Sequence, residues 1–86
     1  MEYVITFKST NLAIQSERHL LGEKLHVKVM PLPSQIRAGC GIALRIPSEE
    51  LGAALQILSD KRVEEFDLYS RAEKDRGYVY SEIFDR

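Results

Sequence analysis

The spacing of hydrophobic positions changes several times along the chain, and each change marks an element. Tyr3-Val-Ile-Thr-Phe7 is a β-branched and aromatic run that predicts a first strand over residues 3–7. Ser9 or Thr10 can cap a helix over residues 11–21, because a hydroxyl there accepts from the first free N–H groups. In that helix Ala13 and Leu20 share a face with Ile14 and Leu21, Gln15 and Arg18 point outward, and Gly22 is the expected stop. Residues 26–30 alternate polar and apolar as a half-buried strand does, and Pro31 and Pro33 end it. Residues 34–39 read as a loop that can hold one helical turn. A third strand is predicted over residues 41–46, with Ile42, Leu44 and Ile46 on one face and Ala43 and Arg45 on the other. Pro47-Ser48-Glu49-Glu50 then predicts a helix start, with Ser48 as cap and two carboxylates at the positive end of the helix dipole. Leu51, Ala54, Leu55 and Leu58 give that helix an apolar stripe. After a turn at residues 60–62, a last strand over residues 63–69 turns Phe66 and Leu68 inward.

The order β-α-β-β-α-β predicts an α+β fold: a ferredoxin-like βαββαβ two-layer sandwich, a four-stranded antiparallel sheet with two helices on one face. Residues 1–70 would form this single domain. Residues 71–86 are a C-terminal extension, charged at first and then patterned as Tyr78-Val-Tyr-Ser-Glu-Ile-Phe84. An edge strand, a dimer arm and a loose tail are all compatible with that pattern. With 86 residues there is no room for a second domain. A chain this short buries only about 60–65% of its unfolded surface, so its core is thin and pairing into a homodimer is expected.

Charge narrows the classes of function. Twelve basic and thirteen acidic residues nearly cancel, and the basic ones do not cluster, so no phosphate-neutralising face for nucleic acid is visible. The face predicted to be open offers Val4, Thr6, Ala43 and Arg45 and lacks the stacking aromatics of RNA-recognition sheets. No apolar run approaches the length of a membrane span, and Met1-Glu2-Tyr3 leads straight into a strand with no signal-peptide core. The expectation is a cytoplasmic protein that contacts neither membrane nor nucleic acid. His19 and His26 are too few for a metal site, and no glycine-rich phosphate loop follows a strand. No cofactor is implied. Lys8-Ser9-Thr10-Asn11 lacks the arginine that an acylphosphatase-type enzyme would need, so independent catalysis is not expected.

The sharpest chemical feature is Cys40, the sole cysteine, set between Gly39 and Gly41 in a loop bounded by proline. A single cysteine excludes an internal disulfide. Flanking glycines widen the backbone's choices and leave the sulfur open, and successive amides around them can face an anion. Arg37 and Arg45, three residues before and five after, could supply charge favouring a thiolate. Against this, the loop is expected at the sheet end opposite the N-termini of both helices, where the dipoles disfavour an anion. A small buried residue entering a central strand is the other reading of Cys40. The residues themselves leave the two open.

Pro31-Leu-Pro-Ser-Gln-Ile-Arg-Ala-Gly-Cys-Gly-Ile-Ala-Leu-Arg45 resembles the hallmark of a small bacterial and archaeal family of selenium/sulfur carrier-like proteins. The likeness extends over about residues 3–70, through Ala13, Glu17 and Leu20 of the first helix, and is tightest from Cys40 to Arg45. It implies a cytoplasmic carrier that holds sulfur or selenium on Cys40 as a persulfide or selenenyl-sulfide. Gly39, Gly41, Arg37 and Arg45 would support it, and donor and acceptor proteins of sulfur or selenium metabolism would be its partners. The alternative is a non-catalytic small-molecule-binding, regulatory or protein-interaction module with a structural cysteine. Without a second cysteine, a bound chalcogen must leave to another molecule, which suits relay.

Overall fold

A computed structural model describes residues 1–83. The elements run β1 (Glu2–Phe7), α1 (Thr10–Gly22), β2 (Lys28–Pro31), β3 (Ile42–Pro47), a 3-10 turn (Ser48–Glu50), α2 (Leu51–Asp60), β4 (Phe66–Lys74) and β5 (Gly77–Ile83). All pairings are antiparallel, in the order β2-β3-β1-β4-β5. The expected four-stranded ferredoxin-like sandwich is therefore not what the chain forms. Its sheet has five strands, because β4 continues to Lys74 and the segment after it folds back as β5 along Leu68–Lys74 of β4. Asp75 and Arg76 make this possible with φ of 50° and 68°, the backbone that closes a two-residue hairpin of matching twist. Phe84 lies outside the described residues.

Alternation along β1 sorts the core into two sides. Ile5 and Phe7 point with Leu44, Ile46 and Leu68 toward Ala13 and Leu20 of α1 and Ala54 and Leu58 of α2, and all of these are buried. Burial on α1 runs through Ala13, Ser16 and Leu20, whereas Ile14 and Leu21 are exposed, so the apolar face is turned from the predicted one. The side chain of Ser9 caps α1, accepting from Leu12 N–H at 3.1 Å. Gly22 is not the left-handed stop. Lys24 is (φ 64°), and its N–H donates to Leu21 while that of Leu25 donates to Leu20, a Schellman closure. Arg62 (φ 60°) closes α2 the same way, with Val63 N–H donating to Leu58 at 2.8 Å. Ser48 makes no capping bond. Glu50 instead accepts from His26 N–H at 2.7 Å and lies 2.6 Å from its Nδ1, tying the turn before α2 to the segment before β2.

The other side of the sheet is not open. Val4, Thr6 and Ala43 are at most 1% exposed, although both helices lie on the opposite face. Residues 32–41 account for this. They leave β2 at one edge and begin at the end of the sheet where β1 finishes, since Pro31 pairs with Ile42 and Thr6 with Ala43. Yet Gln35 Nε2 donates to Tyr78 O at 3.4 Å. Tyr78 pairs with Glu73, beyond the opposite end of β1, where Glu2 pairs with Arg71. Ile36, 5% exposed and outside the helix-side cluster, is buried in this segment, as is Pro33. The loop thus runs across the second face to meet the β4–β5 hairpin at Tyr78. On that face Arg71 donates to Glu2 and Tyr80 and stacks on the Tyr78 ring at 3.5 Å.

Candidate functional site

Cys40 sits where the strap of residues 32–41 re-enters the sheet. Leu32 N–H donates to Gly41 O at 2.9 Å, extending the β2–β3 ladder by one pair, and Ile36 N–H closes a turn onto Pro33 O at 3.0 Å. Alternation then sends Cys40, like Ile42 and Leu44, to the helix side. There it joins the core cluster at 7% exposure, and its S–H donates to Ile42 O at 3.1 Å.

The flanking glycines act differently from expectation. No glycine has a positive φ, so neither provides a left-handed conformation. Gly39 is needed for contact: a Cβ there would overlap the carbonyl of Lys8. Gly41 faces open space, and nothing in the structure requires a glycine there.

The two arginines are not assembled around the sulfur. Arg45 points to the second face, where its Nε lies 3.6 Å from Glu2 Oε2. Arg37 is exposed and makes no hydrogen bond or ion pair among the described residues. Of the five predicted site residues, Gly39, Cys40 and Gly41 form one junction and the arginines stand apart from it.

The helix dipoles also differ from expectation. Ala43 pairs with Thr6, so the loop lies at the end of the sheet where β1 finishes and α1 begins. Gly39 packs against Lys8, immediately before the Ser9 cap. The positive end of α1 is thus beside the loop, and only α2 presents its C-terminal end there. A cavity of about 330 Å³ opens at the same end, walled by Lys8, Gly39, Glu64 and Asp67; Cys40 is not among its lining residues. Among the described residues no cluster of three His, Cys, Asp or Glu side chains could hold a metal ion.

Sequence reasoning passed over Ile36 and Gln35. The available signal was that Ile36 is the one large aliphatic residue between Pro33 and Gly39. It also passed over Arg71 and Glu2, whose pairing depends on a strand not foreseen.

With this geometry in place, comparison with known proteins settles the relationship. A family model described as "Putative Se/S carrier protein-like" matches residues 2–70. The chain belongs to this family. The match takes in β1 through β3, both helices, Cys40 and the first part of β4, and stops before β5. No curated protein and no solved structure matches the chain. No helix among the described residues is long and apolar enough to cross a membrane.

Proposed function

We propose that the protein is a thiol-based carrier that holds sulfur or selenium on Cys40 and hands it to a partner protein. Membership of a Se/S carrier-like family, in a chain whose only cysteine lies inside the matched segment, carries this reading. In the loading step the Cys40 sulfur attacks the outer sulfur of a donor persulfide. The donor's S–S bond breaks, a new S–S bond forms on Cys40, and the donor leaves as a thiol that takes up the Cys40 proton. The selenium version replaces the outer sulfur with selenium, giving a selenenyl-sulfide. No oxidant is consumed, and the absence of a second cysteine leaves transfer to another molecule as the way off. Gly39 lets the loop sit against Lys8, beside the N-terminus of α1. Arg37 and Arg45 would act only by long-range charge.

The test is to incubate the protein with a small-molecule persulfide and weigh it intact. A species heavier by one sulfur on the wild type and absent on Cys40→Ser is expected. No adduct on wild type, or the same adduct on Cys40→Ser, would sink the proposal.

A second reading has an observation of its own. Cys40 is buried and its S–H is occupied by Ile42 O, as in a structural cysteine. The protein would then be a binding or interaction module, and Cys40→Ala would leave its function intact.

A further inference from the structure

We infer that residues 32–41 form a releasable strap that gates Cys40, closed by Ile36 and opened by lifting off the second face of the sheet. The inference rests on the carrier reading for its purpose, but its physical basis is independent of it.

A carrier thiol must meet another molecule, and at 7% exposure Cys40 cannot do so in the closed form. Something has to move, and the helix side is the least able to. There the sulfur lies among core residues of β1, α1 and α2 whose displacement would dismantle the main cluster. The strap is different. Its backbone bonds are local: Leu32 to Gly41 at its base and Ile36 to Pro33 within it. Among the described residues, one hydrogen bond joins residues 33–39 to the rest of the protein, the 3.4 Å bond from Gln35 to Tyr78 O. That distance is at the long limit for such a bond. Between residues 33 and 39 only Pro33 and Ile36 are buried, so two apolar side chains, with Ile36 the larger, supply most of its hold.

The seat beneath it is also imperfect. Thr6 Oγ1 is buried on the covered face with no hydrogen-bond partner. A buried hydroxyl left unpaired opposes closure, and it regains water when the strap lifts. Segments held by few contacts open locally without unfolding the domain. Gly39 lies against the Lys8 carbonyl, so an outward swing parts that contact and carries Cys40, the next residue, with it.

The strap is tested by alkylating the single thiol of the native protein with iodoacetamide, over a series of low urea concentrations. For wild type, slow labelling with a rate nearly independent of urea is expected, because local opening exposes little surface. Ile36→Ala should speed native labelling on the order of tenfold or more, as loss of a buried aliphatic shifts a closure that depends on it. Gly39→Ala, whose new Cβ cannot coexist with the Lys8 carbonyl, should speed it as well. A helix-side variant, Leu55→Ala, supplies a global destabilisation for comparison and should speed labelling only in proportion to its unfolding constant.

Labelling of wild type and Ile36→Ala that rises with urea along the slope of global unfolding would overturn the strap. So would equal labelling rates in wild type and Ile36→Ala. The same variants incubated with persulfide separate the two ideas. Faster alkylation without any persulfide adduct leaves the strap standing and removes the carrier. An adduct forming equally fast in every variant, with unchanged alkylation, leaves the carrier and removes the strap.

Discussion

Replacing Cys40 by alanine measures how much of the fold rests on the residue proposed to carry the chalcogen. The side chain is 7% exposed within the helix-side cluster and its S–H donates to Ile42 O. Alanine removes one sulfur from a packed site, leaves a small void, and strips Ile42 O of that donor. Removal of one buried, roughly methyl-sized group costs about 1 kcal/mol in transfer free energy, with a further contribution from incomplete collapse. Loss of a weak S–H donor adds about 0.5 kcal/mol at most. The expected destabilisation is therefore about 1–1.5 kcal/mol, or roughly 4–12 °C in Tm for a domain of this size. Cys40→Ser should cost a similar amount. Its hydroxyl can still donate to Ile42 O, but it brings a more polar atom into an apolar setting. Urea denaturation with an unchanged slope, paired with calorimetry, reads both values. A change within ±0.5 kcal/mol for both variants would place the sulfur in solvent and refute the packing described for it.

Two further outcomes follow from the helix ends and from Glu50. Arg62 and Lys24 hold left-handed conformations that glycine adopts without penalty, so Arg62→Gly or Lys24→Gly should each stabilise by roughly 0.5–1 kcal/mol in urea titrations. Equal or lower stability in both would refute the Schellman assignment. The Glu50 carboxylate is held below its ordinary range, chiefly by the hydrogen bonds it accepts from the His26 side chain and backbone. A carboxylate with a depressed value in the folded state stabilises the fold above its unfolded value, and that contribution fades as pH falls through the folded one. Wild type should therefore lose stability relative to Glu50→Gln between neutral pH and the acid side of the carboxylate range. Parallel stability profiles for the two proteins would show that the pair contributes nothing.

The sequence disclosed most of what is local and little of what depends on distant partners. Strands β1 and β3, both helices and the Ser9 cap were legible because each has its own pattern: a β-branched run, an alternation, an apolar stripe, a placed hydroxyl. The fifth strand was harder to see because its turn, Asp75-Arg76-Gly77, places glycine one position after the two residues with positive φ. The usual hairpin signal, glycine at the second turn position, is missing there. The site was half legible. Cys40 was visible as the only thiol, but its burial follows from which side of the sheet residue 40 faces. Arg45 looked close to it in sequence, yet one step of strand alternation separates odd from even positions and puts Arg45 with Glu2 on the other face. The closing of the second face could not be read from residues 34–39, since a single buried isoleucine in a polar loop has no period.

Pairing register alone corrects the electrostatic picture of the site. β2 runs parallel to β1 because each is antiparallel to β3, so the loop after β2 must emerge at the end where β1 finishes. That end is also where α1 starts, and the contact of Gly39 with Lys8 brings loop and helix N-terminus together. Burial then decides what the sulfur can meet. Closed, the thiol is surrounded by apolar groups and its S–H is occupied by Ile42 O. Lifted, it would meet water and donor together. A strap that switches between these two states would keep the thiol from other molecules until it opens, which a permanently exposed cysteine could not do.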